Sequence, residues 1–320
     1  MEILSLLNTV FIPVVRNGKT FYMFLDSGCP ISFSNLINEV TSSDLGIEKD
    51  FNHSLQHHNF NNVMESLSKL VGIEVAGILG LDFIGLFDNI LINIREEKLE
   101  FNLPNFQADF DLDCQILGFI STSISPINPN NDGLTVFDTG AFQCMSFNPI
   151  FDHYPISRSW KYVSFMGTMN MDYYNNIELY LKESYKGKHI FGVANNLPEL
   201  PFDFILGMNF VSEYEVLIDV VNSKLSFKKS KALPILNVHP THTTGFQIEI
   251  QDKIVVSHVR ENCPNNVNIG DVIEVDGIDM TQENKVNSIY NTLVYSSSDK
   301  PVKAKINGEE RELVKIELFE

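Results

Sequence analysis

Asp26 and Asp138 are the residues of this chain whose surroundings point to chemistry. Phe24-Leu25-Asp26-Ser27-Gly28 and Val136-Phe137-Asp138-Thr139-Gly140 both read apolar, apolar, aspartate, hydroxyl, glycine. Each has a matching follower: Gly77-Ile78-Leu79-Gly80-Leu81-Asp82-Phe83 after the first, and Phe204-Ile205-Leu206-Gly207-Met208-Asn209-Phe210 after the second. Segments repeated in the same order mark a duplicated unit. One aspartate per unit supplies two carboxylates that a fold can set face to face. Two carboxylates in one site resist ionising together, so one keeps a proton and the other acts as a base. Such a pair can hold one water, take its proton with one carboxylate and protonate an attacked carbonyl oxygen with the other. That chemistry needs no metal, cofactor or covalent intermediate. Gly28 and Gly140 permit a tight turn and close backbone approach, while Ser27 and Thr139 offer hydroxyls to fix the carboxylates' neighbours.

The elements that must position these residues are mostly strands. Thr9 to Val15 and Lys19 to Leu25 are apolar, β-branched or aromatic and flank Asn17-Gly18, a strong hairpin signal. In the second unit Ile116 to Ser125 is strand-like, Asn131-Asp132-Gly133 is a turn, and Leu134 to Phe137 leads into Asp138. Each unit closes with a strand, a polar turn and a strand: Ile90 to Ile94 with Lys98 to Phe101, and Val216 to Val220 with Lys224 to Phe227. Asn61 to Val71 carries apolar residues at Val63, Met64, Leu67, Leu70 and Val71, a helical spacing with a core-facing stripe. Polar residues and prolines between Lys228 and Thr244 read as a linker. Beyond it, strands at 245–250, 253–259 and 272–275 precede a helix-compatible stretch, Glu283 to Leu293, and a terminal hairpin of Val302–Ile306 with Leu313–Leu318 around Asn307-Gly308. The expected domains are 1–108, 109–231, a linker at 232–239, and 240–320.

Composition bounds the function. The chain has 320 residues, 44% of them hydrophobic, and a formal net charge of −18. That balance argues against nucleic-acid binding and against an anionic membrane surface. The four cysteines show no CxxC and no dense spacing, which argues against a disulfide scaffold or zinc ribbon. The first residues, acidic at Glu2, read as a strand and not a signal peptide, and no run reaches the length of a membrane span. The expectation is a cytoplasmic protein with no metal. His53, His57 and His58 are expected in an exposed loop.

The doubled motif resembles the aspartic proteases of the pepsin and retropepsin clan, which carry one hydrophobic-hydrophobic-Asp-Thr/Ser-Gly and one later hydrophobic-hydrophobic-Gly segment per lobe. The likeness covers roughly residues 8–230. It implies a mostly β, two-lobed fold with retropepsin-sized lobes on one chain, an Asp26/Asp138 dyad, a polypeptide substrate, and a monomer, because the duplication removes the need for dimerisation. The family covers its cleft with glycine-bearing hairpins. In the second unit Phe165, Met166, Gly167 and Thr168 are the candidate flap, whereas Thr41 to Leu70 in the first lacks such a hairpin. Many acid-acting relatives follow each glycine with Ser or Thr. Cys29 and Ala141 stand there instead, so the resemblance implies a dyad that works nearer neutral pH.

Residues 240–320 resemble a PDZ domain, a small α+β fold. Thr244, Gly245 and Phe246 sit at the carboxylate-binding loop, with Gln247 and Ile248 on the following strand, and Gly270-Asp271-Val272-Ile273 and Val275-Asp276-Gly277 match later features. That likeness implies capture of a C-terminal peptide beside the strand. The alternative for the whole chain is a catalytically inactive peptide-binding scaffold of the same fold.

Overall fold

The computed structural model describes residues 1–57, 61–128, 130, 132–147, 150–151, 153–164, 167–182, 184–194, 200–278, 280, 282 and 285–319. The fold is mostly β. The described helices are short: α1 (Ser42–Leu45), α2 (Asn61–Val71), α3 (Leu81–Ile84), α4 (Met208–Val211) and α5 (Lys285–Leu293). Among the described residues no helix is long and apolar enough to cross a membrane.

The first unit is a five-stranded sheet in the order Leu4–Leu6, Thr9–Arg16, Lys19–Leu25, Val75–Leu79, Phe33–Ser34. Its hairpin turns at Asn17 and Gly18, whose φ angles of 53° and 74° suit the tight turn that Asn-Gly favours. The strand that ends at Leu25 then pairs in parallel with Val75–Leu79, Leu25 beside Leu79. The second unit repeats this device in an eight-stranded sheet. Gly133–Phe137 pairs in parallel with Phe204–Leu206, Phe137 beside Leu206. In each unit a short strand, Phe33–Ser34 or Cys144–Ser146, flanks the parallel pair antiparallel. So each aspartate leaves the buried end of a strand at the same point of the same local topology.

The closing strands do more than close their own units. They interleave in one sheet, ordered Phe110–Asp113, Lys224–Lys229, Tyr214–Asp219, Asn89–Asn93, Lys98–Phe101. Leu91 of the first unit stands opposite Leu217 of the second. Ile90, Ile92, Val216, Ile218, Leu225 and Phe227 are buried there and join the cores of the two units.

The C-terminal domain is a five-stranded sheet, Phe246–Ile250, Ile254–Val259, Val272–Val275, Val302–Ile306 and Glu309–Leu313, with α5 packed on it. The terminal hairpin differs from expectation. Positive φ at both Asn307 and Gly308 makes a two-residue turn that pairs Ile306 with Glu309, so the partner strand is Glu309–Leu313. Ile316–Glu317 pairs instead with His242–Thr243. The stretch expected as a linker is packed, not loose. Leu236 and Val238 are buried, the Asn237 N–H donates to Asn291 Oδ1 on α5 at 2.8 Å, and Asn291 Nδ2 donates back to the Ile235 carbonyl at 2.9 Å.

Candidate active site

The two Asp-hydroxyl-Gly turns meet across the unit interface. The Ser27 hydroxyl donates to the Phe137 carbonyl at 2.9 Å and accepts from the Thr139 N–H at 3.0 Å. The Thr139 hydroxyl does the mirror operation, donating to the Leu25 carbonyl and accepting from the Ser27 N–H, both at 2.9 Å. All four bonds are buried, where an unmade bond is most costly. Each turn also holds its own carboxylate: the Gly28 N–H donates to Asp26 Oδ1 at 2.9 Å, and the Gly140 N–H to Asp138 Oδ1 at 2.7 Å.

The glycines are required by proximity. A Cβ on Gly28 would lie 2.7 Å from Asp138 Cγ, and one on Gly140 would lie 2.5 Å from Asp26 Cγ. Each glycine therefore makes room for the opposite aspartate. Beneath, the Asp26 N–H donates to the Leu79 carbonyl at 3.0 Å and the Asp138 N–H to the Leu206 carbonyl at 3.2 Å, so the Ile-Leu-Gly segments brace the two turns.

Asp26 is buried, Asp138 half-buried, and the carboxylates hydrogen-bond to one another. Burial, then the charge of Asp138 and the bond to it, raises the Asp26 carboxyl well above the usual carboxylate range. Burial raises Asp138 as well, against the backbone N–H groups of Gly140, Gly28 and Ala141 and the Asp26 bond, all of which favour its charged form. Both carboxyls are raised and hydrogen-bonded to one another, so they titrate as one pair that holds a proton between them. The Cys29 thiol donates to the Ile31 carbonyl, at 3.2 Å, and its own ionisation is pushed up to about 12 by burial and the neighbouring Asp26. It is an inert neighbour of the dyad.

The segments between the aspartate turn and the Ile-Leu-Gly segment differ between units. In the second, Ile156–Ser164 and Gly167–Leu181 form a long hairpin with Ser164 opposite Gly167. Of the candidate flap, Phe165 and Met166 lie outside the described residues, and Gly167 and Thr168 open the returning strand. In the first unit a small hairpin, Glu39–Thr41 with Asn52–Ser54, carries α1 and packs Val40 and Leu45 into that unit's core. The helix expected over 61–71 forms as α2, and its Met64, Leu67 and Val71 share a core with Phe24, Ala141 and Phe246. Thus α2 is wedged between both units and the C-terminal domain.

The histidine expectation needs correction. His53 is buried, with Nε2 3.5 Å from Asp82 Oδ2 and its ring against Phe83. His57 is exposed and His58 lies outside the described residues. Among the described residues no group of three or more His, Cys, Asp or Glu is placed to hold a metal.

The C-terminal site residues make bonds within the chain. Thr244 directs both its N–H and its hydroxyl to the Leu293 carbonyl at 2.9 Å, and the Gly245 N–H donates to Thr243 Oγ1 at 3.2 Å. Phe246 and Ile248 are buried, and the Ile248 carbonyl accepts from the Tyr290 hydroxyl at 3.2 Å. Gln247 reaches across to the long hairpin: its Nε2 donates to the Lys161 carbonyl at 2.9 Å, and its Oε1 accepts from the Lys161 N–H at 3.0 Å. Asn287 of α5 grips the first unit the same way, accepting from the Leu7 N–H at 2.8 Å and donating to the Ser5 carbonyl at 2.7 Å. Both amides bind the chain's own backbone, at Lys161 and at Leu7 and Ser5. Sequence reasoning missed Asn287, whose side chain carries no motif. No family model matches this chain, and no curated protein does.

Proposed function

We propose that the chain is an aspartic endopeptidase of two retropepsin-like units on one polypeptide. The observation that carries this reading is the reciprocal Ser27–Thr139 exchange, which holds two hydrogen-bonded, burial-raised carboxylates between two glycines that leave room for them. In the reaction the ionised carboxylate of the Asp26/Asp138 pair takes a proton from a water while the protonated one donates its own to the carbonyl oxygen of the scissile peptide bond. The tetrahedral intermediate then collapses with proton transfer to the leaving amine. The raised carboxyls, with no hydroxyl at Cys29 or Ala141 to stabilise the ionised form, shift the working range upward from strongly acidic pH.

The C-terminal domain is proposed as a PDZ-like module that recognises the polypeptide substrate from its place on the two units. The test is digestion of a diverse peptide library by wild type, Asp26→Asn and Asp138→Asn across pH. Each substitution is expected to reduce cleavage by about 10²–10⁴-fold. A wild type that binds peptides but cleaves none at any pH selects the scaffold reading, which draws on α2 standing where the first unit's cover is expected. A rate optimum below pH ~4 contradicts the raised dyad.

A further inference from the structure

Beside each aspartate the two units carry an equivalent hairpin turn. Phe11 stands opposite Phe24, which precedes Asp26 by two residues, and Ser121 stands opposite Val136, which precedes Asp138 by two. The register is therefore the same, and it aligns the turn Leu7-Asn8 before Thr9–Arg16 with the turn Leu117-Gly118 before Ile120–Pro126. Paired strands lie about 4.8 Å apart, so each turn stands next to its own aspartate. The other side of each aspartate strand matches as well. Ile78 pairs with Phe24 and Ile205 with Val136, and Val75 and Phe202 each lie three residues before that isoleucine.

These matched surfaces are treated in opposite ways. In the first unit Leu7 is 5% exposed, and its N–H donates to Asn287 of α5. Phe24, Val75 and Ile78 are buried in one core with Met64, Leu67 and Val71 of α2, and the Val75 N–H donates to the Ser68 hydroxyl of α2 at 3.0 Å. In the second unit Leu117 is 79% exposed. Phe119 packs on Phe202 and Phe202 on Phe147, with ring centres 5.8 and 5.3 Å apart, and all three are only half-buried. Leu134, which alternates onto the same face of its strand as Val136 and Asp138, is exposed too. The dyad follows the same division: Asp26 is 3% exposed, whereas Asp138 is half-buried. An apolar surface left open next to a reactive centre marks a contact with something else. Its first-unit counterpart shows what fits: there the chain's own aliphatic side chains lie on it.

We propose that the cleft is one-sided. The polypeptide lays an apolar residue against Leu117, Phe119 and Phe202 on the Asp138 side. On the Asp26 side the equivalent place is already taken by α2 and by α5 of the C-terminal domain, so the bond that is cut lies close to one end of the substrate chain. One-sidedness rests on the endopeptidase reading and narrows its substrate to polypeptide ends that carry an apolar residue on the inner side of the cut bond. It also gives the C-terminal domain a part, the closing of one end of the cleft.

The experiment uses the full-length protein and two peptide series built outward from a bond cut in the library digestion, one lengthened on the N-terminal side and one on the C-terminal side, read by mass spectrometry. Lengthening one side is expected to raise kcat/KM by about tenfold, and lengthening the other to lower it by about tenfold. On the favoured side Phe or Leu is expected to be preferred to Ser by about tenfold. Leu117→Asp, on an exposed turn whose side chain the core does not use, is expected to erase that preference. Phe202→Ser is expected to do the same; if it fails to melt cooperatively, Leu117→Asp decides. Equal gains from lengthening either side, or a preference for Phe that survives Leu117→Asp, overturn the one-sided cleft and leave the endopeptidase reading intact. A folded wild type that cleaves nothing removes both.

Discussion

The first and second units agree where the carboxylates meet and disagree almost everywhere else. Both deliver aspartate from the buried end of a strand, both brace it with an Ile-Leu-Gly segment, and each turn hydrogen-bonds the other through its hydroxyl. One step out, the first unit has Ser32 giving its N–H and hydroxyl to the Asp82 carboxylate, at 2.9 and 2.6 Å. The second has the Cys144 N–H donating to Asn209 Oδ1 at 2.7 Å, with Asn209 Nδ2 donating to the Ile190 carbonyl at 2.9 Å. Further out, one unit places a helix where the other places a long hairpin. The symmetric part is the part that two carboxylates need in order to share a proton. The asymmetric part only has to support it, and can be built in two ways.

The sharpest challenge to that symmetry is at the glycines. Gly28→Ala and Gly140→Ala each drive a methyl group into the opposite carboxylate, at 2.7 and 2.5 Å from its Cγ. Displacing a reacting group by ~1 Å can reduce turnover about 100-fold, and both variants are expected to fall by that order. A peptide-cleavage assay showing one variant impaired and the other near wild type would break the equivalence of the turns.

The supports are expected to respond unequally. Asn209→Asp places a charge at a site 2% exposed and turns a donor to the Ile190 carbonyl into a repelling oxygen. A stability loss of about 3 kcal/mol is expected from denaturant unfolding. Asp82→Asn is milder. Burial disfavours the Asp82 charge, but bonds from His53 and Ser32 outweigh it and hold the carboxyl below its usual range, and an amide keeps an acceptor for Ser32. Equal losses from the two substitutions would mean that the supports are as interchangeable as the turns.

At the crossing itself, Ser27→Ala and Thr139→Ala each strand one buried carbonyl and one buried N–H. Losses of about 2 kcal/mol are expected for both, with Thr139→Ser close to wild type. A serine suffices because the hydroxyl, and not the methyl group, makes the two bonds.

Much of this centre was legible in the sequence because its signals are local. Asp26 and Asp138 sit in five-residue motifs, Asn17-Gly18 names its own turn, and Val63, Met64, Leu67, Leu70 and Val71 mark out α2 to its ends. What was hidden is non-local. The closing strands were readable as strands, but nothing in Leu91 or Leu217 says that they pair with each other across units. Gln247 was read as a peptide-binding position, yet it binds backbone that lies 86 residues away. The packed stretch around Leu236 reads as a linker because its apolar residues, among Pro234, Pro240 and polar groups, carry no period; Leu236 and Val238 are nonetheless buried, and Asn237 is tied to α5.

The smallest expected effects separate the chemical centre from the supporting structure by the direction of their response to pH. His189, 2% exposed, lies with Nδ1 3.7 Å from Glu213 Oε1, which His239 approaches at 3.3 Å and whose other oxygen pairs with Lys229. Burial pushes the His189 imidazolium down to about 4 from 6.5, despite the neighbouring Glu213. Between those values the folded chain binds fewer protons than the unfolded one, so stability falls as pH drops from 6.5 to 4. The dyad runs the other way. Asp26 is raised above 3.8, so the folded chain binds more protons there and stability falls as pH climbs above that value. The two contributions therefore slope in opposite directions between pH 4 and 6.5. His189→Leu should remove the loss toward acid. Asp26→Asn should remove the loss that sets in above 3.8 and raise Tm at pH 7, by about 2–4 °C for each kcal/mol of relieved strain, with no gain below pH 3.8. If both substitutions removed the same loss, the opposite signs expected of a buried imidazole and a buried carboxyl would not hold, and the proton held between Asp26 and Asp138 would lose its physical basis.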